Sequence, residues 1–423
     1  MRKLTLAVLT MLSLVFTGCF KDDDTPIIIE ETTIINQGGG DGGGDICPTV
    51  SVTGAITSDT TWSSDNIYVL NQKVVVDNGA TLTIQPGTII KGSPGTGSLA
   101  SALIIARGAK INAVGTASQP IIFTSTSDNI TCGETAGTNL DVNDRGLWGG
   151  LLVMGYAPCS FSGDITEAQI EGIPADDTFG LYGGSDAADN SGVLQYISIR
   201  HGGALIGEGN EINGLTLGGV GTGTLISNIE VVANVDDGIE FFGGSVNASN
   251  LLVWGQGDDA LDIDQAYSGT IDNAVVVLGE ASDHAFEIDG PEGSLTGSFT
   301  LQNATIIGNT VTADGEYADY RSNAMGATNN ILAYGFKAES DVELDNDGVA
   351  TNYNDGLVTF SNWEIVLPTG VANVEDIFVN KAETVTVTGF GSEATAVTLG
   401  SQTVGADLSD FDWTYASASG ALQ

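Results

Sequence analysis

Positive charge is what this sequence has least of. Twelve Lys and Arg and two His stand against 54 Asp and Glu, a formal charge of −42. That balance excludes nucleic acid as a partner, since phosphate binding needs a basic surface. It favours solubility and cation binding instead. Only nine prolines accompany 58 glycines, which fits tight corners in a folded chain rather than a proline-rich linker. The four cysteines contain no Cys-x-x-Cys pair, so the metal motif built on that spacing is absent. Long amphipathic helices with Lys/Glu pairing are missing as well. At 42% hydrophobic residues the chain can still bury a substantial core, and the class it points to is all-β.

What is present is a repeat. Three segments of 228–290 superimpose. Each has an Asn, an apolar run, an acidic pair and a short alternating stretch. They run from Asn228 to Asp236-Asp237-Gly238-Ile239-Glu240-Phe241, from Asn250 to Asp258-Asp259-Ala260-Leu261-Asp262-Ile263, and from Asn273 to Asp283-His284-Ala285-Phe286-Glu287-Ile288. The Asn positions are 22 and 23 residues apart, and Asn303, Asn330 and Asn362 continue the series at looser spacing. A fixed period of short β-type segments predicts a solenoid, here a single-stranded parallel β-helix with loop insertions and a C-terminal cap. Right-handed coiling is expected from the general crossover preference. Each Asn either stacks on its neighbours in an amide ladder or serves as the turn residue before a strand. Gln195 is expected near the same position one coil upstream, and Phe411–Tyr415 in the cap.

Alternation with period two puts Ile239, Leu261 and Phe286 inside, and Glu240, Asp262 and Glu287 outside, in one column. Asp236, Asp258 and Asp283 form a second column at the preceding corner, and Asp237, Asp259 and His284 a third. Coils stack at about 4.8 Å, so these carboxylates repel one another. Ca²⁺ held by Asp236, Glu240, Asp258, Asp262, Asp283 and Glu287 would relieve that; a solvated acidic face is the other reading.

The N-terminus carries an address. Arg2 and Lys3 precede an apolar stretch, Leu4 to Phe16, too short to span a bilayer. Thr17-Gly18-Cys19 resembles a bacterial lipobox, with Phe16 where Leu is usual. Residues 1–18 then read as a lipoprotein signal peptide, Cys19 as the lipid-modified residue, 19–46 as a Gly-rich acidic tether, and 47–423 as the β-helix. Asp22-Asp23-Asp24, just past Cys19, resembles the surface-export signal of Bacteroidetes lipoproteins. Of the remaining cysteines, Cys132 and Cys159 flank one insertion and are expected to pair, leaving Cys47 over; a Cys47 pairing stays open on sequence alone.

The stretches 79–92, 102–125 and 145–158 resemble uncharacterised β-helix surface lipoproteins of Bacteroidetes and marine bacteria, and the likeness continues through 194–203, 211–224 and 236–264. It implies the fold and a lipid-anchored place on the outer membrane, with no activity attached. More locally, Asp236, then Asp258-Asp259, then His284 on successive coils resemble the active-site layout of β-helical polygalacturonases. That likeness implies hydrolysis, with one carboxylic acid protonating the leaving oxygen and another carboxylate activating water. The chain departs from the pattern in Asp283-His284-Ala285, which lacks flanking glycines, and has no Arg-x-Lys to grip an anionic sugar; Arg321 is the sole downstream Arg. Two functions follow as expectations. One is a surface lipoprotein that binds or displays, with a polysaccharide or surface protein as partner. The other is a polysaccharide-degrading hydrolase or lyase acting on a neutral glycan. Trp148 and Trp254 are candidate sugar-stacking rings or core residues, and His201 reads as a corner residue.

Overall fold

The computed structural model describes residues 34–35, 47–173, 177–205, 211–311 and 315–423. All its strands but a short antiparallel pair in the insertion, Ala168–Gln169 and Leu181–Tyr182, join in one continuous sheet that coils as a parallel β-helix. The pairings in that sheet are parallel except where Ile34–Ile35 lies antiparallel to Thr49 and Val50. Each central coil supplies one long strand bent in the middle and one short strand. The bent strands include Leu225–Val232, Ala248–Trp254, Thr270–Val277, Phe299–Ile307, Gly326–Tyr334 and Val358–Ile365. The short strands that matter below are β1 (Ile239–Phe242), β2 (Leu261–Asp264), β3 (Phe286–Ile288), β4 (Ala318–Tyr320) and β5 (Val342–Leu344).

The recurrent Asn makes the bend. Asn228, Asn250, Asn273, Asn303, Asn330 and Asn362 all have φ between 52° and 63°. Asn tolerates this left-handed region better than other residues with a Cβ. The amides then stack. Asn273 Nδ2 donates to Asn250 Oδ1 at 2.8 Å, Asn330 to Asn303 at 2.9 Å, and Asn362 to Asn330 at 3.0 Å. Asn303 departs from the run by donating to Asp272 Oδ1 at 2.7 Å. Turn residue and ladder are therefore one device. Upstream, Gln195 pairs with Ser227 and is not at the corner; Tyr196 takes that position with φ 51°.

Inside the coil, residues of like position stack in apolar columns. Ile239, Leu261 and Phe286 lie in register and are fully buried, as are Phe241, Ile263 and Ile288. Trp148 is wholly buried too, its Nε1 donating to the Arg200 carbonyl at 2.7 Å, so it is a core residue. His201 is a buried corner residue with φ 63°.

Between Ser125 and Gly192 the chain leaves the coil. This insertion gives one strand, Leu151–Met154, to the short-strand stack and lays Phe161, Ile170 and Tyr182 over the outward faces of Val75, Ile104 and Leu152. Asp189 is buried there and accepts from Ser191 Oγ at 3.1 Å.

The disulfide joins Cys47 to Cys132, with Cα atoms 5.8 Å apart, and Cys159 is a buried free thiol. The expected Cys132–Cys159 bridge does not form, because the two sulfurs belong to different clusters. Cys132 sits against Ile67, Ile89 and Ile122 on the first coils, whereas Cys159 packs with Phe161, Tyr182 and Phe242. The coil returns the chain to one face every turn, and that return brings Cys47 beside Cys132.

The C-terminus also departs from expectation. The far end of the core is closed by Tyr353, Phe360, Trp363, Phe378 and Phe390, which pack edge to face. Phe411–Tyr415 do not cap that end. The last twenty residues run back along the outside of the bent strands as a strap. Asp407 N donates to Asn273 Oδ1 at 2.7 Å, Ala416 N to Glu230 Oε1 at 2.8 Å, and Trp413 meets Tyr196 edge to face. Phe411 and Ala416 bury the outward Leu252 and Val275, and half-buried Trp254 lies against Tyr415. Residues 385–388 are irregular, and the last strand of the sheet, Ala394–Ala396, pairs with Trp363–Ile365.

Candidate functional site

One outward column of the short-strand stack changes character along the axis. Strand register aligns Val75, Ile104, Leu152, Thr216, Glu240, Asp262, Glu287, Asp319 and Glu343. The apolar half lies under the insertion. The acidic half begins where the insertion ends, on β1, and runs through β5. Direction is as the alternation predicts, but the five carboxylates are buried rather than solvated.

Positive charge is spent at one end of this column. Arg321 pairs with Glu287, with Asp289 at 2.9 Å and with Asp319 at 3.8 Å, and Lys381 pairs with Glu343. Glu240 and Asp262 have no Lys or Arg among the described residues; Asn213 Nδ2 donates to Glu240 Oε2 instead. Burial, reinforced by neighbouring carboxylates, pushes Asp237, Glu240 and Asp262 well above the usual carboxylate range.

A second column runs beside the first. Asp237 Oδ1 accepts from Asp259 N at 2.9 Å, and Asp259 Oδ1 accepts from both His284 N and His284 Nδ1 at 2.8 Å. His284 Nε2 lies 3.8 Å from Asp283 and 3.9 Å from Glu316. Burial works against the imidazolium, but the Asp259 hydrogen bond and the charges of Asp259, Asp283 and Asp319 outweigh it and push His284 up to about 9. At neutral pH this ring is a cation held by acids, not a free base.

Asp236, Asp237 and Asp258 come together at the outer edge, with one oxygen of each within 4.8 Å of the others. Burial, with Glu171 and Asp258 adding, pushes Asp236 up to about 7. On the other side of the short strands lies a trough of about 510 Å³, lined by Ser162, Asp264, Asp289, Glu292, Ser322 and Asn323 among others. Asp264 stands in register with Phe242, and burial followed by the Asp289 charge pushes it up to about 7. The lining offers carboxylate, hydroxyl and amide oxygens.

The structure thus regroups the residues expected from sequence. Asp236 and Asp258 share the outer edge with Asp237; Asp259 and His284 bond one coil further on; Asp283 lies beside His284. The expected six-residue metal set separates, with Glu240 and Asp262 joining Asp237, and Glu287 joining Asp259 and His284 while already paired to Arg321. Sequence reasoning missed Asp319, Glu343, Glu316 and the trough. An alternating Ala318-Asp319-Tyr320 and Val342-Glu343-Leu344 was the available signal, masked by longer turns that break the period. Cys19 lies outside the described residues.

The pectate-lyase like β-helix domain family matches residues 54–416. No curated protein matches the chain in sequence. Among solved structures, full-length tailspike protein 2 from Escherichia coli O157:H7 bacteriophage CAB120 is similar at 12% identity and a TM-score of 0.21. That likeness covers 74% of this chain and 34% of the tailspike, so the chain spans about a third of that protein's length.

Proposed function

The chain belongs to the pectate-lyase-like β-helix family, and from that premise we propose that it is a lipid-anchored surface protein whose β-helix binds an uncharged polysaccharide without cleaving it. The observation that carries this reading is the oxygen-lined trough beside the acid columns. Sugar hydroxyls donate well to carboxylate and amide oxygens, and an open polar trough along the coil axis leaves room for an extended chain. Polyuronates are disfavoured: Arg321, Lys381 and His284 are each engaged by carboxylates of this face. A glycan array with the full chain should show binding to neutral polysaccharides and none to polygalacturonate; no binding to any neutral glycan would sink the proposal.

Binding is favoured over hydrolysis by the state of His284, whose Nδ1 is held by Asp259 at 2.8 Å and which is pushed up to about 9, so that the ring is engaged by acids and not free for proton transfer. The hydrolase reading keeps one supporting fact, the Asp236 carboxyl pushed up to about 7, which suits a general acid. Under it, Asp258→Asn abolishes release of reducing ends.

Lipid anchoring rests on the sequence pattern Thr17-Gly18-Cys19 after an apolar stretch. Such an anchor would hold the β-helix at the outer membrane, displayed at the cell surface by the Gly-rich tether. Cys19→Ala should move the protein from the membrane to the soluble fraction; unchanged detergent partitioning would contradict it.

A further inference from the structure

The outward face of the bent strands divides at the Asn corner. Beyond the corner it lies under the C-terminal strap. Before the corner it carries an open groove of about 510 Å³, lined by Gln195, Leu225, Ser227, Asn247, Ser249 and Thr270 among others. Alternation sends Val114, Gln195, Ser227, Ser249 and Asp272 outward in register, while the adjacent Leu194, Ile226, Ala248 and Ile271 point into the core. This column continues through Gln302 and Asn329 to Ser361. Two residues upstream, a second column runs from Thr61 through Asn112 and Val193 to Leu225. It resumes at Thr270 and Thr300 and ends at Thr359.

These columns are almost without charge. In a chain with 54 Asp and Glu, they hold a single carboxylate, Asp272, which accepts from Asn303 Nδ2 at 2.7 Å. Apolar side chains stand on the same face. Leu225 is 63% exposed and Val114 39% exposed. Apolar surface of this kind, rimmed by polar residues, marks an interaction site.

Charge selects the partner. Carboxylates only accept hydrogen bonds and repel one another, so two acidic faces do not meet. Ser, Thr, Asn and Gln side chains both donate and accept, so a face built of them is complementary to its own copy. The groove lining has no aromatic ring on which a sugar could stack.

We propose that this uncharged face is a self-association surface, on which two copies of the chain pack about a two-fold axis. Such a contact sets the same patch on both sides, and each groove takes up apolar side chains of the other copy. Its size is adequate. Nine successive strand pairings carry the face from Thr60–Trp62 to Val358–Ile365. At about 4.8 Å per coil it is about 43 Å long, and five strand residues make it about 17 Å wide. That is on the order of 700 Å², against about 800 Å² per partner in a standard interface. The trough at Asp264 and Asp289 lies on the short strands, so this assignment stands independently of carbohydrate binding.

Sedimentation equilibrium of the full chain at micromolar concentration, in low and high NaCl, tests it. The expected result is a species of twice the chain mass. Its association should tighten as NaCl rises, because salt screens the repulsion between two chains of charge −42. Leu225→Asp and Ser249→Asp should each weaken dimerisation at least about tenfold, by setting carboxylates against their own copies. Leu399→Asp, at a residue 54% exposed and off this face, should leave it unchanged. Circular dichroism of each variant confirms that the coil is intact. A monomer at every concentration and salt, a dimer that survives both Leu225→Asp and Ser249→Asp, or one that dissociates as NaCl rises would each overturn the assignment. So would a monomer whose retention on a neutral polysaccharide is lost in Leu225→Asp, since the face would then belong to a glycan.

Discussion

Replacing Cys47 and Cys132 together by Ser should loosen the first coils selectively. The bridge closes a loop with a sequence separation of 85 residues. In the chain-entropy account a loop of this length restricts the unfolded chain by about 4–5 kcal/mol. The loop contains the first strands of the solenoid, from Thr49–Ile56 through Ile121–Ser125. Around the bridge sit Ile67, Ile89, Ile122 and Ile130, and Lys91 Nζ donates to the Asp128 and Ile130 carbonyls at 2.7 Å. In a solenoid each coil contacts only its neighbours, so a loss at one end stays near that end. Guanidinium unfolding of the double variant should therefore show an early transition in the fluorescence of buried Trp62, ahead of the main loss of β circular dichroism. A single unshifted transition would refute the reasoning, as would alkylation of Cys47 or Cys132 in denaturant without reductant, where of the three described cysteines only Cys159 should react.

Asn273→Ala should cost about 2–3 kcal/mol: it deletes bonds to Asn250 and to Asp407 in the strap, each worth about 1 kcal/mol, and leaves Ala at φ 63°. Asn273→Gly should recover about 1 kcal/mol of this by relieving the left-handed backbone; equal melting of the two variants would remove the conformational part. For the metal-free chain, stability should fall as pH rises. The folded-state pKa values of Asp236, Asp264 and Asp319 are raised to about 7, so their contribution is present below the unfolded carboxylate range and lost on the way to neutrality. His284, raised to about 9, contributes below 6.5 and loses that contribution between 6.5 and 9. At about 1.4 kcal/mol per pKa unit its share is on the order of 3 kcal/mol. His284→Asn should flatten the melting profile above pH 6.5, and an unchanged slope there would show that the ring does not hold its proton.

How much of this was legible follows from period. Asn corners and Glu240, Asp262 and Glu287 recur at nearly constant spacing, so coil, register and column could be read directly. Asp319 and Glu343 occupy the same column, but their coils carry longer turns, and a column is invisible once the period slips. The covering of the acids could not be foreseen, because alternation gives a direction and not what lies over it. The cysteine pairing misled because proximity in sequence, Cys132 and Cys159 within one insertion, competes with proximity per turn, and the coil favours Cys47. The strap joins residues as distant as Tyr415 and Leu140, 275 positions apart, with no repeat to announce it.

The central claim, an uncharged glycan held at the short-strand face and not cut, is tested most directly by incubating the full chain with an array-selected neutral polysaccharide and measuring retention and new reducing ends in the same sample. The account predicts retention that is lost in Asp264→Asn with Asp289→Asn, and no reducing ends above the protein-free control. Release of reducing ends that disappears in Asp258→Asn, or retention on polygalacturonate in preference to the neutral chain, would contradict it.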